Sequence, residues 1–203
     1  MIKETFYYRR HAICTITEAY MRHCRCGGND MLEIDEYKAG FWLKELEKSP
    51  RGQRAMGFFL DGYNCTQAVV LAFADLIGMD EKTLLRMSSS FGGGMGRLRE
   101  VCGAVSGMFL VAGFLYGYDT PGAAGQQEKA EHYARIQELA GEYRAVNGSI
   151  VCRELLGLGT KGADAPTPEP RTAEYYKKRP CGQVIGIAAA MMEKYVEAHP
   201  CGE

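Results

Sequence analysis

No CxxC pair occurs anywhere in this 203-residue sequence, although it holds eight cysteines. That absence removes the usual signatures of zinc knuckles, thioredoxin-type active sites and ferredoxins, and the lack of CxxCH removes covalently attached haem. Histidine is scarce at four residues, and no Ser/His/Asp or Cys/His arrangement points to hydrolysis. Charge bias is missing too: 24 Lys and Arg stand against 25 Asp and Glu, a formal net charge of −1. No global field therefore favours nucleic acid or an anionic membrane surface. Nowhere do apolar and polar residues alternate over a strand's length with β-branched enrichment, so little or no β-sheet is expected. The first thirty residues contain no apolar run of signal-peptide length, which argues against export and for the cytoplasm. In that reducing compartment cysteines are metal ligands or redox-active thiols more often than structural disulfides.

The composition, 46% hydrophobic and 24% charged, suits one core. The expected fold is all-α: a compact multi-helix bundle with a glycine-rich loop, spanning residues 31–203. Residues 1–30 form a separate extension with three cysteines (Cys14, Cys24, Cys26) and two histidines but no amphipathic element. With Met31 as an alternative start, the extension is expected to be dispensable or untranslated. Its His23, Cys24 and Cys26 read as incidental rather than as a metal site.

Helical spacing recurs along the rest. Asp35 caps a helix through Glu47 with Tyr37, Phe41 and either Leu43 or Leu46 inward. A short piece, Gln53 to Leu60, follows Pro50. Asn64 caps an apolar central helix, Cys65 to Ile77, that ends at Gly78. Asp80 to Arg86 restarts helically, and Ser88 to Gly96 (SSSFGGGMG) breaks it, as a loop that something approaches closely. Val101 to Tyr118 is uncharged for eighteen residues, just at the length of a bilayer span. Its two GxxxG spacings (Gly103/Gly107, Gly113/Gly117) suit a buried helix crossed by another, and no stable membrane span is expected. Gln126 to Val146 follows, with Ala130, Tyr133, Ile136, Leu139, Ala140, Tyr143 and Val146 on one face. Ser149 caps the short IVCRELLG helix, Lys161 to Pro170 is an extended surface loop, and Pro180 starts a last helix with a Val184, Ala188, Met191, Tyr195 stripe. His132 reads as a solvated-face residue.

On this sketch Cys65, Cys102, Cys152 and Cys181 all fall at helix starts. Unpaired N–H groups and the helix dipole favour thiolate over thiol there, and thiolates serve both nucleophilic redox chemistry and metal ligation. A small buried hydrophobe is the plain alternative for any single cysteine. Separations of 37, 50 and 29 positions mean that a shared site must be assembled by the fold. FGGGMGR lacks the lysine and Ser/Thr of a phosphate loop and has no preceding strand. Its better reading is close backbone approach to the cysteines, with Gly93, Gly94 and Gly103 binding near the sulfurs. Arg97 and Arg99 would offset negative charge there, or simply face solvent.

The segments GYNCTQAVVLAF (62–73), FGGGMGRLREVCGAVSGMFLVAG (91–113), NGSIVCRELLG (147–157) and RPCGQVIG (179–186) resemble the C_GCAxxG_C_C family, named for redox activity. The CGAxxG signature falls on Cys102, Gly103, Ala104 and Gly107. The resemblance implies a small, mostly helical bacterial or archaeal domain whose four characteristic cysteines carry over to Cys65, Cys102, Cys152 and Cys181. It implies genes beside transporter genes, and a distant similarity to a domain of split-Soret cytochromes that favours an iron–sulfur cluster. The expected function is electron transfer through a cluster held by the four cysteines. The alternatives are a metal-free thiol–disulfide oxidoreductase or redox sensor, and a structural zinc domain docking on a transporter or redox partner. An oxidoreductase and a pure carrier both fit, a redox partner protein is expected, and homo-oligomers are allowed.

Overall fold

The computed structural model describes residues 34–159 and 164–200. The expected boundary at residue 30, and Cys14, His23, Cys24, Cys26 and Cys201, lie outside them. Every regular element described is helical, as the missing strand pattern implies; the one extended pairing is a single bridge between Val101 and Val151.

Local chemistry sets the helix starts. Asp35 accepts from the Lys38 N–H and opens α1, Glu36–Lys48. Ser49 accepts from the Gly52 N–H and, with Pro50 in the first turn, opens α2, Pro50–Leu60. Asn64 opens α3, Cys65–Leu71, through a capping box: its side chain accepts from the Thr66 and Gln67 N–H groups, and Gln67 accepts from the Asn64 N–H. After α4, Ala74–Ile77, Asp80 caps α5, Glu81–Ser88. Then come α6, Gly103–Tyr116, and α7, Gln126–Asn147. The single-turn α8, Cys152–Leu155, precedes α9, Ala173–Lys177, and α10, Cys181–Ala198.

The core sits where α10 runs along α2 and α3 along α6, with α10 and α6 also in contact. α10 is buried continuously from Gln183 to Met192. Glycine permits these approaches: a Cβ on Gly52 would lie 3.0 Å from the Gly186 carbonyl, and one on Gly107 would lie 2.8 Å from Val69 Cβ. Within the uncharged segment the first GxxxG spacing is thus a helix crossing, while Gly113 faces open space and Gly117 lies past the helix end. At fourteen residues α6 is short of a span, and among the described residues no helix is long and apolar enough to cross a membrane.

Three expectations on the helices need correction. In α1 the inward stripe is Ala39, Trp42 and Leu46, whereas Tyr37 and Phe41 are exposed. Trp42 decides the rotation, because its indole N–H donates to Glu142 of α7 at 2.8 Å while the ring is buried. The central helix does not run unbroken to Ile77. Arg51 donates to the Ala72 carbonyl at 2.6 Å and lies over the Phe73 ring, and the chain tightens there into i→i−3 bonds before α4. On α7 only the C-terminal half of the expected stripe is covered: Leu139, Tyr143 and Val146 are buried, Ala130 and Tyr133 exposed.

Candidate functional site

Each of the four cysteines stands at a helix start. Cys65 is the first residue of α3, Cys152 of α8 and Cys181 of α10, and Cys102 is the residue before α6. Their convergence is built locally. The Val101–Val151 bridge is flanked by hydrogen bonds from the Cys102 N–H to the Ile150 carbonyl (2.8 Å) and from the Cys152 N–H to the Glu100 carbonyl (2.7 Å). Cys102 and Cys152 are therefore held on paired segments. Gly103 faces Cys65 across the α3–α6 crossing, where a Cβ would sit 2.9 Å from Cys65 Cβ. Gly94 faces Cys152, where a Cβ would sit 2.6 Å from Cys152 Cβ.

The thiols are free; Cys102 and Cys152 are buried, Cys65 and Cys181 half-buried. All six pairwise combinations of the four are close enough to perturb one another's charge. Cys65 and Cys181 are in hydrogen-bond contact, and that bond, with the Gly93 N–H and the Arg171 guanidinium, lowers Cys65 to about 7 against its desolvation. Cys181, which keeps the shared proton, is pushed well up by the same bond and by burial. Burial, then the charge of Cys65 and Cys152, pushes Cys102 up to about 12. Burial also raises Cys152, opposed by Arg99, whose Nη1 donates to the sulfur at 3.8 Å. The Tyr143 hydroxyl stands 4.0 Å from Cys102 Sγ.

The loop expected between Ser88 and Gly96 is wound tighter than a plain coil, with a 3-10 turn, Ser89–Phe91, and one further turn, Gly92–Met95. Gly93 and Gly94 are left-handed there. Gly93 supplies its N–H to Cys65, while Gly94 and Gly103 leave room beside Cys152 and Cys65. Arg97 turns to the Ala165 carbonyl (2.6 Å) and Asp164 (3.3 Å), so it is Arg99 that reaches a sulfur. Sequence reasoning missed Tyr143, Arg171, Arg179 and Tyr175, whose phenol is pushed up by burial and by the neighbouring Cys181. Only Arg179 carried a signal, two positions before Cys181. Arg171 holds the chain ahead of Cys65 by donating to the Phe59 and Tyr63 carbonyls, each at 2.8 Å.

A family model described as "Putative redox-active protein (C_GCAxxG_C_C)" matches residues 63–195. The chain belongs to this family. Cys65, Cys102, Cys152 and Cys181 lie within the matched residues, as do Arg99, Arg171 and Arg179. No curated protein and no solved structure matches the chain.

Among the described residues, no three His, Cys, Asp or Glu side chains stand as a ready-made chelating set. The charged groups that act on the sulfurs are other thiols and the guanidinium groups of Arg99, Arg171 and Arg179. A soft, all-sulfur donor set with cationic neighbours fits an iron–sulfur cluster or zinc, and thiolates would be charge-compensated in either. The same groups also fit dithiol chemistry, since one thiol of a contacting pair ionises near neutral pH.

Proposed function

We propose that this C_GCAxxG_C_C protein is an electron carrier whose four thiols form one redox centre. The observation that carries the reading is that four thiols from four separate helix starts lie near enough for each to act on the charge of the others. Cys65, Cys102, Cys152 and Cys181 would hold an iron–sulfur cluster, which supplies one-electron transfer when bound. The chain's own contribution is electrostatic. Gly93 donates to the Cys65 sulfur, Arg99 to the Cys152 sulfur, and Arg171 and Arg179 add positive charge beside Cys65 and Cys152. These groups stabilise the anionic sulfurs that ligation requires, and burial of Cys102 and Cys152 limits water at the centre. A carrier needs a donor and an acceptor, so the partner proposed is a redox protein, with a transporter-associated system as one setting.

Four single Cys→Ser variants test this. Comparable loss of redox behaviour in each is expected, because every thiol is a ligand; unaltered behaviour in all four would remove the proposal. Zinc bound tightly without redox titration, and unfolding on its chelation, would instead assign the thiols a structural role.

The Cys65–Cys181 contact favours a second reading, a thiol–disulfide oxidoreductase. The Cys65 thiolate attacks a disulfide substrate, forming a mixed disulfide and expelling one substrate thiolate. The Cys181 thiol then gives up its proton and attacks the Cys65 sulfur, releasing the second thiol and leaving a Cys65–Cys181 disulfide. Two electrons pass from the protein to the substrate. This reading predicts that Cys102→Ser and Cys152→Ser retain exchange activity.

A further inference from the structure

Arg99 is placed at considerable conformational cost. Its φ is +65°, and Met95 and Arg97 before it are also left-handed at +61° and +71°, positions where a side chain costs about 1 kcal/mol or more. Its guanidinium is nevertheless nearly buried, with the residue 3% exposed. A buried cation needs partners, and it has two kinds. On one side Nε donates to Asp164 Oδ2 at 2.8 Å, in an ion pair that Nη2 shares. On the other, Nη1 donates to Cys152 Sγ at 3.8 Å. The backbone is committed as well: the Arg99 carbonyl accepts from the Arg153 N–H at 3.1 Å, which pins the residue to the turn carrying Cys152.

We infer that Arg99 is a positioning residue that holds positive charge against the Cys152 sulfur and so tunes the potential of the centre, and that Asp164 modulates this by competing for the same guanidinium. This rests on the four thiols acting as one centre. The planar fork is what allows one side chain to face a carboxylate and a sulfur together, which a lysine ammonium cannot reproduce. Positive charge beside a sulfur favours the more reduced, more negative state of the centre. Removing Arg99 should therefore lower its midpoint potential, and removing the Asp164 charge should raise it.

The test is Arg99→Gln, Arg99→Lys and Asp164→Asn in the full chain, with two readouts. The first is the midpoint potential of whichever redox couple the wild type shows. The second is the rate at which iodoacetamide alkylates Cys152 in reduced, metal-free protein at one fixed pH, with Cys65 as internal reference. Expected are a fall of roughly tenfold in the Cys152 rate in Arg99→Gln, the scale of one charge-assisted hydrogen bond, partial recovery in Arg99→Lys, and a rise in Asp164→Asn. The potential should move down and up correspondingly. A structural role would loosen the site in every variant, so changes of the same sign in Arg99→Gln and Asp164→Asn, or no change, overturn the inference. Should Arg99→Gln fail to fold, Asp164→Asn decides: a rise confined to Cys152 supports the inference, and an equal rise at Cys65 or none refutes it. Wild-type protein with neither iron nor zinc would defeat the cluster reading alone, because the alkylation readout needs no metal.

Discussion

Replacing Gly94 with alanine probes the glycine-rich turn where it meets the cysteine site. Gly94 is left-handed at φ +70°, so an alanine there costs about 1–2 kcal/mol in backbone strain. Strain alone does not decide the outcome, since Met95, Arg97 and Arg99 tolerate similar angles nearby. Contact does. The new Cβ would stand 2.6 Å from Cys152 Cβ and 3.0 Å from both Cα and the carbonyl carbon of Arg99, and two of these three atoms are backbone that cannot swing away. Overpacking of that kind adds about 1–3 kcal/mol, for a total of roughly 2–5 kcal/mol. At roughly 2–4 °C per kcal/mol for a domain of this size, Gly94→Ala should lower the Tm by about 4–20 °C. Gly113→Ala is the control: it lies inside α6 with nothing within 4 Å of its Cβ, and should be neutral or stabilising by about 0.5–1 kcal/mol. The assay is thermal and urea unfolding followed by circular dichroism, with Cys152 alkylation as a local reporter. Gly94→Ala as stable as wild type and with unchanged Cys152 reactivity would refute the reasoning.

Asn64→Ala removes an acceptor serving the Thr66 and Gln67 N–H groups and a donor to the Ser89 carbonyl, and should cost about 1–2 kcal/mol in urea unfolding. In reduced, metal-free protein Cys65 should be the most readily alkylated of the four, half-maximal near pH 7. Cys181→Ala, which leaves no donor there, should shift that midpoint upward, because the Cys181 bond is its largest cause. Acid should destabilise the fold through Asp75, held below its ordinary range first by the hydrogen bond from Arg51, and through Asp164, held down likewise by Arg99. A carboxylate whose folded pKa is depressed binds fewer protons folded than unfolded in that range. Its contribution is complete above the unfolded value of about 4 and fades as pH falls through the depressed one. Arg51→Met should flatten the acid limb of a stability–pH curve, and an unchanged limb would contradict the pairing.

The four helix starts at the cysteines were legible because capping is local. Asn64 with Gln67 is a three-residue signal, and Pro180 and Gly103 punctuate the chain beside Cys181 and Cys102. What was hidden depended on partners far along the chain. The rotation of α1 follows from Glu142, a hundred residues away from Trp42, and the break after Leu71 follows from the Arg51 side chain. Ser149 illustrates the limit of local reading: it accepts from the Val151 N–H, yet the helical turn begins only at Cys152. Arg171 could not have been read as part of the cysteine site. It acts through two carbonyls more than a hundred positions earlier, and nothing in its own neighbourhood marks it.

The central claim, that the four thiols form one metal-bearing redox centre, is tested most directly on protein purified without oxygen. Iron, zinc and acid-labile sulfide are measured per chain alongside the visible absorption spectrum. Iron with matching sulfide and a visible band that bleaches on reduction is the predicted result. A colourless protein free of metal would contradict it and leave the Cys65–Cys181 dithiol as the working chemistry.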